Sequence, residues 1–286
     1  MNTERSATQR LIPKSQDILA LLLQLQAGVL QVLEQLRPGL DRPGAVGVNA
    51  KGDNQKHFDI AADEWIRQWL SEHFESGMVE SEERKDGFEF GSGNQGYRFI
   101  VDPVDGSDNF ERGLPLSAIS LAMLPRQTSL STDGVIYASV GDTSGSGSVV
   151  AARGNGAYAS DGRRLHTSGT RRLRDAFVSC ELNHWAPDTS LANLMGTCAG
   201  IRAYGCASRA LCLVAEGALD AHIDVRNRLT PESFLAASLL VTEADGHICR
   251  LDGGTLAPFQ SLQDRTTLVA ASTKELTEEI INALAG

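Results

Sequence analysis

The chain has 286 residues, 42% of them hydrophobic and 22% charged, which is room for one large domain or two coupled ones with a sizeable core. A formal net charge of −10 and a pI near 5.1 argue against a nucleic-acid surface or an anionic membrane, and a phosphate-bearing ligand would need cations to offset the repulsion. Cys180, Cys198, Cys206, Cys212 and Cys249 are odd in number, widely spaced and lack a CxxC, the pattern of reduced thiols rather than of a disulfide frame or a zinc site.

Arg5 and Arg10 precede no apolar core with a cleavage site, and no run reads as long enough to cross a membrane, so the expected compartment is the cytoplasm. Apolar residues at helical spacing predict a helix over Asp17–Leu36, opened by Ser15 and stopped by Pro38 and Gly39. After a Pro/Gly-rich linker, Phe58, Ile60, Ala61, Trp65, Ile66 and Leu70 mark a second amphipathic helix. Asp59 and Asp63 share one of its faces, either as solvated acids or as part of a site. Glu80, Glu82 and Glu83 follow, then a stretch, GFEFGSGNQG, that reads as a flexible loop.

The run YRFIVDPVDGSDNF, Tyr97 to Phe110, is the most informative part of the chain. Arg98–Val101 reads as a buried strand ending near Asp102. Pro103 fixes one φ and Gly106 permits a tight or left-handed turn, so Asp102, Asp105 and the Val104 carbonyl can gather around one point as oxygen ligands for a hard cation such as Mg²⁺. The amides of Gly106 and Ser107 would then offer an anion nest beside the metal. An ordinary Asx turn uses the same residue types with no chemistry at all.

Farther on, LSAISLAML and GVIYASV read as strands, SVVAARGNGAYASDGRRLH as a hairpin, and Gly154 and Gly156 within it as packing residues. DAFVSC begins as a strand that leads to His184 and Trp185, and the scattered histidines form no metal pattern. IRAYG reads as a short strand, Ala207–Glu216 as a helix opened by Gly205, and ALDAHIDV as a strand carrying Asp224. Thr230 as N-cap, Pro231 at the first position and Glu232 in the first turn signal a further helix whose N-terminus aims at the site.

Three pieces, SEE at Ser81–Glu83, VDPVDGSDNF at Val101–Phe110 and the segment from Gly205 to Gly246, resemble the inositol monophosphatase and fructose 1,6-bisphosphatase superfamily in order and spacing. GDNQKHFDIAAD looks more like the fructose bisphosphatase version, and DAHIDVRNRL like the archaeal branch that handles both substrates. The resemblance implies an α/β (α+β) fold, a layered α/β/α/β/α sandwich. Residues 1–165 would form an N-terminal half with the metal motifs and residues 166–286 a C-terminal half, with the site at their junction.

It also implies a lithium-sensitive phosphomonoesterase with two or three Mg²⁺ ions, or Mn²⁺ in their place, acting on a small phosphorylated substrate such as inositol monophosphate or fructose 1,6-bisphosphate. A homodimer is the family habit. Residue by residue, Glu82, Asp102 and the Val104 carbonyl would hold one ion, and Asp102 and Asp105 would bridge to a second. Ser107 and Glu82 would orient the attacking water with Asp63 behind Ser107. Gly106 and Ser107 would hold phosphate oxygens, and Gly205, Ala207 and Asp224 would contact the polyol.

The chain departs from the pattern where the family carries an aspartate at the third position of the Thr230 helix: Ser233 stands there, with Glu232 one place earlier. Either Glu232 completes the second metal site or that site is weak. Asp108, where a small hydroxyl residue is usual, is a second departure. A 3′(2′),5′-bisphosphate nucleotidase and a catalytically weak binding or regulatory protein are the alternative readings.

Overall fold

The computed structural model describes residues 15–37, 45–49, 52, 54–92, 95–185, 187–256 and 258–285. Pro38 and Gly39, expected to stop the first helix, and much of the linker behind them lie outside the described residues. In chain order the first half comprises α1 (Ser15–Gln35), β1 (Gly47–Val48), β2 (Asn54–Gln55), α2 (His57–His73), β3 (Gly77–Ser81), β4 (Phe88–Phe90), β5 (Tyr97–Asp105), α3 (Ser107–Glu111), β6 (Ala118–Pro125), β7 (Tyr137–Asp142), β8 (Ser148–Ala152) and β9 (Gly156–Ala159). The second half comprises β10 (Phe177–Cys180), α4 (Thr189–Thr197), β11 (Gly200–Arg202), α5 (Ala207–Ala215), β12 (Ala221–Leu229), α6 (Pro231–Glu243), β13 (His247–Cys249), β14 (Thr266–Ala271) and α7 (Lys274–Ala285).

Strand alternation explains the layers, because successive side chains point to opposite faces. The seven-stranded sheet runs β4-β3-β5-β6-β7-β8-β9. Phe99, Val101, Ile119, Leu121 and Met123 cover one of its faces and pack with Leu22, Val29, Ile66 and Leu70 of α1 and α2. Ile100, Ala118, Ala122 and Leu124 take the other face and meet α5 and α6. The five-stranded sheet, β11-β10-β12-β14-β13, turns Leu268 and Ala270 toward those same two helices, and Val178, Ile223, Val269 and Ala271 outward to α4 and α7. The result is five layers, α/β/α/β/α, with α5 and α6 buried between the sheets.

Several local expectations change. The loop GFEFGSGNQG contains β4, which pairs antiparallel with β3, so its Phe88 and Phe90 are sheet residues. The strand expected to end near Asp102 continues to Asp105, with a register shift between the two acids where Pro103 cannot donate. By length and mean hydropathy, 1.4 over its best window, α1 is sufficient to cross a membrane, which corrects the expectation that no run is. Its Ile18, Leu22, Leu25, Val29 and Leu33 are nevertheless fully buried in the protein core. The hairpin glycines do pack: the amides of Gly154 and Gly156 both donate to the Glu243 carboxylate at the end of α6, at 2.7 and 2.8 Å.

The central layer carries the most strictly buried side chains. Phe234 of α6 is fully buried and meets Phe259 edge-on, with ring centroids 5.6 Å apart. Phe234→Ala should cost about 3–5 kcal/mol in urea unfolding; a loss below ~1 kcal/mol would show that the two sheets close over α6 without it.

Candidate active site

The aspartate turn is built where β5 runs into α3. Gly106 occupies the left-handed region at φ 78° and serves as the N-cap of α3. A Cβ there would come within 3.0 Å of both Cys206 and the Leu116 carbonyl and 3.1 Å of the Gly205 carbonyl, so glycine is required both by conformation and by space. Its neighbour across the contact, Gly205, is also left-handed at φ 65°. Asn109 ties the two turns together, its Nδ2 donating to the carbonyls of Leu116 at 2.8 Å and Tyr204 at 2.7 Å.

Asp105 completes the junction. Its Oδ2 accepts from the Ser208 amide at 2.7 Å, the Ser208 hydroxyl at 2.6 Å and the Cys206 thiol at 3.3 Å, so a carboxylate of the first half caps the first turn of α5. Burial raises this carboxyl to about 6, against the pull of the Ser208 and Cys206 donors, and the charge of Glu82 adds to the rise. Burial also raises Asp59 and Glu83 to about 8 each, and Glu82 is a further charge pushing each of them up. Glu82 is therefore the common neighbour of Asp59, Glu83 and Asp105. Asp102 is 1% exposed on the face of β5 toward α6, where Ser233 Oγ approaches its Oδ2 at 3.4 Å.

Carboxylates held together out of water are the donor chemistry of a hard divalent cation. Glu82, Asp102, Asp105 and the buried Val104 backbone fit such an ion in kind, although among the described residues no three His, Cys, Asp or Glu side chains close on a single point. On the α6 side the residues concerned are Glu232 and Ser233. Glu232, expected as a ligand, is 1% exposed and its Oε1 accepts from the Thr230 hydroxyl. Thr230 has the extended backbone of an N-cap, but its side chain is spent on Glu232 instead of capping. The neutral Ser233 approaches Asp102 at 3.4 Å.

Other sequence-predicted residues also move. Asp63 does not join Ser107: its Oδ2 is paired with Arg67 Nε at 3.1 Å and Arg84 Nε at 3.0 Å. One turn earlier, Asp59 is the acid of α2 that faces Glu82, held by the Lys56 amide at 2.9 Å. Asp108 adds no charge to the site, since its side chain is 83% exposed and accepts from Lys56 Nζ, which also binds Glu111. Asp224, expected to meet a polyol, is fully buried and clasped by Arg226 through Nε at 3.0 Å and a second guanidinium nitrogen at 2.7 Å.

A cavity of about 280 Å³ opens beside this junction, lined by Asp105, Gly205, Ala207, Thr230 and Ser233. Arg226, Arg228 and Arg265 line it as well, together with Glu181, Asn183 and His184. None of the arginines was singled out from sequence. Arg226 follows Asp224 by two places in one strand and so shares its face, a readable signal; Arg265 arrives from a loop before β14 with no local cue.

Beneath the Asp224 and Arg226 pair lies an unsatisfied layer. His222 and Ser179 are in register on adjacent parallel strands, and both ring nitrogens of His222 and the Ser179 hydroxyl are buried without a hydrogen-bond partner. Burial pulls the imidazole down to about 4.

The chain is similar to known proteins over most of its length. The profile of the inositol monophosphatase family matches residues 14–286. An inositol-1-monophosphatase of Mesorhizobium japonicum is 33% identical over 233 residues, 79% of this chain and 81% of that protein. A fructose-1,6-bisphosphatase/inositol-1-monophosphatase of Thermococcus kodakarensis is 28% identical over 84% of this chain and 86% of its own length. Among solved structures, the extragenic suppressor protein suhB of Bartonella henselae superposes with a TM-score of 0.76 at 25% identity, over 93% of this chain and 98% of that one.

The buried imidazole has a measurable consequence. With His222 near 4 when folded and near 6.5 as its ordinary value, the unfolded chain takes up this proton first as the pH falls. Stability is therefore lost between pH 6.5 and 4. His222→Leu should flatten urea-measured stability across that window, by on the order of 3 kcal/mol at its acid end, with stability at pH 8 unchanged or raised because orphaned polar atoms disappear. An unchanged acid slope would contradict this.

Proposed function

The chain belongs to the inositol monophosphatase family, and from that premise we propose that it is a Mg²⁺-dependent phosphomonoesterase acting on a small sugar or polyol phosphate. The observation that carries the reading is the junction itself. Asp105, fixed on α5 by three donors, places the acid turn of one half against the Gly205 turn of the other, at the mouth of a 280 Å³ cavity sized for a phosphorylated sugar.

Glu82, Asp102, the Val104 carbonyl and Asp105 would hold the cation, which when bound polarises the phosphate and activates water. The protein's own contribution is position. With Oδ2 locked, Asp105 cannot swing away from the cavity, and the left-handed Gly106 turn sets Ser107 at the start of α3. Ser107 is half-buried there, and its hydroxyl would orient water or a phosphate oxygen. Gly205 and Ala207 form the opposite wall.

A second reading is supported by Ser233. A neutral hydroxyl at Asp102 removes one negative charge from the position where the second ion would bind, so turnover is lowered and a ligand-binding or regulatory role becomes credible.

Purified protein assayed with Mg²⁺ against inositol 1-phosphate, fructose 1,6-bisphosphate, adenosine 3′,5′-bisphosphate and p-nitrophenyl phosphate separates the two. Hydrolysis of a polyol or sugar ester is the expected result, and a folded protein inert toward all four would establish the non-catalytic reading. Asp105→Asn should lower turnover at least ~100-fold, with folding checked by circular dichroism; near-normal rates would rule out this site. Ser233→Asp should lower the Mg²⁺ concentration for half-maximal rate by about tenfold, and no change would show that Ser233 is not at a cation position.

A further inference from the structure

We propose that Arg228 and Arg265, beside the structurally engaged Arg226, form a metal-independent phosphate subsite in the cavity beside Ser233, guanidinium charge taking the part of a second cation. This rests on the reading that the cavity accepts a phosphate ester, and three observations carry it. First, one cavity holds Ser233, where the acid that would attract a second ion is replaced by a neutral group, and also the three arginines. Charge to neutralise a phosphate is thus available without that ion.

Second, two of the three arginines are not consumed by structure. Arg226 is clasped by Asp224, and a further guanidinium nitrogen donates to the Asn183 carbonyl at 2.9 Å, which fixes its plane against the cavity wall. Arg228 and Arg265 have no ion pair among the described residues, in a chain whose net charge is −10. Unpaired cations gathered in a concave wall of an acidic protein focus an attractive field on an anion. Guanidinium groups are suited to the task, because their donors match phosphate oxygens two at a time.

Third, the carboxylates on the same wall are already engaged. Asp105 Oδ2 takes the Ser208 and Cys206 donors, and Glu181 Oε1 accepts from the amides of Leu182 and Asn183 at 3.0 and 3.1 Å, with Arg226 at 3.8 Å. They do not tie up Arg228 or Arg265. Thr230 and Ser233 add neutral rather than acidic lining on the same side.

The test is binding of inorganic phosphate to the intact protein in EDTA, followed by titration calorimetry and repeated with Arg228→Gln, Arg265→Gln and the double variant. Both side chains are exposed, so the folded state should persist, and the melting temperature checks this. Phosphate should bind without metal, each single variant should weaken it at least ~5-fold and the pair at least ~50-fold. Binding that appears only with Mg²⁺, or that survives in the double variant, overturns the subsite. Hydrolysis of an ester by a protein that binds no phosphate in EDTA would refute the subsite and leave the phosphatase reading standing. Arginine-dependent phosphate binding without hydrolysis of any ester would do the reverse.

Discussion

The Asp105 carboxylate accepts donors that lie 101 and 103 residues farther along the chain, and the candidate site is assembled around that contact. Each sheet on its own is an ordinary amphipathic layer. What makes a site of their meeting is that β5 ends in an acid whose best partner is the first turn of α5, a helix that belongs to the central layer. Gly106 and Gly205 permit the approach, since a side chain at either would collide with the other turn or with Asn183. An acid at this position thus fixes the relative placement of Ser107, Gly205 and Ala207 while keeping one oxygen in reserve.

Charge is the second organising constraint. Burial raises Asp59, Glu83 and Asp105, the charge of Glu82 adds to each rise, and a cation among them would relieve the group. On the far side of Asp105 the sign changes: Ser233 is neutral, and Arg226, Arg228 and Arg265 face the cavity. On the proposed reading the site is polarised, with acids to hold a metal on one side and guanidinium groups to hold an anion on the other. A phosphate ester, which pairs with both, is the natural bridge between them. This is a different distribution of charge from two cations in an all-acid cleft.

The fold was largely readable because the strongest signals were local and periodic. The apolar stripe of α1, the buried run of β5 and the Thr230–Pro231 start of α6 each announce themselves. So does the turn at Asp102–Gly106, whose left-handed glycine is as expected. What escaped had no local cause. β4 reads as a loop because glycines surround FEF and only pairing with β3 makes it a strand. Asp59 and Asp63 share a face of α2, and the choice between them depends on Arg67 and Arg84 claiming Asp63. Glu232 and Ser233 differ by about 100° around a helix, and their contacts, Glu232 with the nearby Thr230 and Ser233 with the distant Asp102, are not written in the local sequence. The arginines come from β12 and from a separate loop, so no window of sequence contains their cluster.

The central claim is a polarised site, one cation among the acids and a phosphate on the arginines. It is tested most directly by a crystal structure of the protein soaked with Mn²⁺ and phosphate, with the metal located by its anomalous scattering. The expected result is one fully occupied Mn²⁺ contacting Glu82, Asp102 and the Val104 carbonyl, with phosphate bridging from it toward Arg228 and Arg265. Two equally occupied ions with Ser233 or Glu232 as a ligand, and no phosphate contact to either arginine, would contradict it.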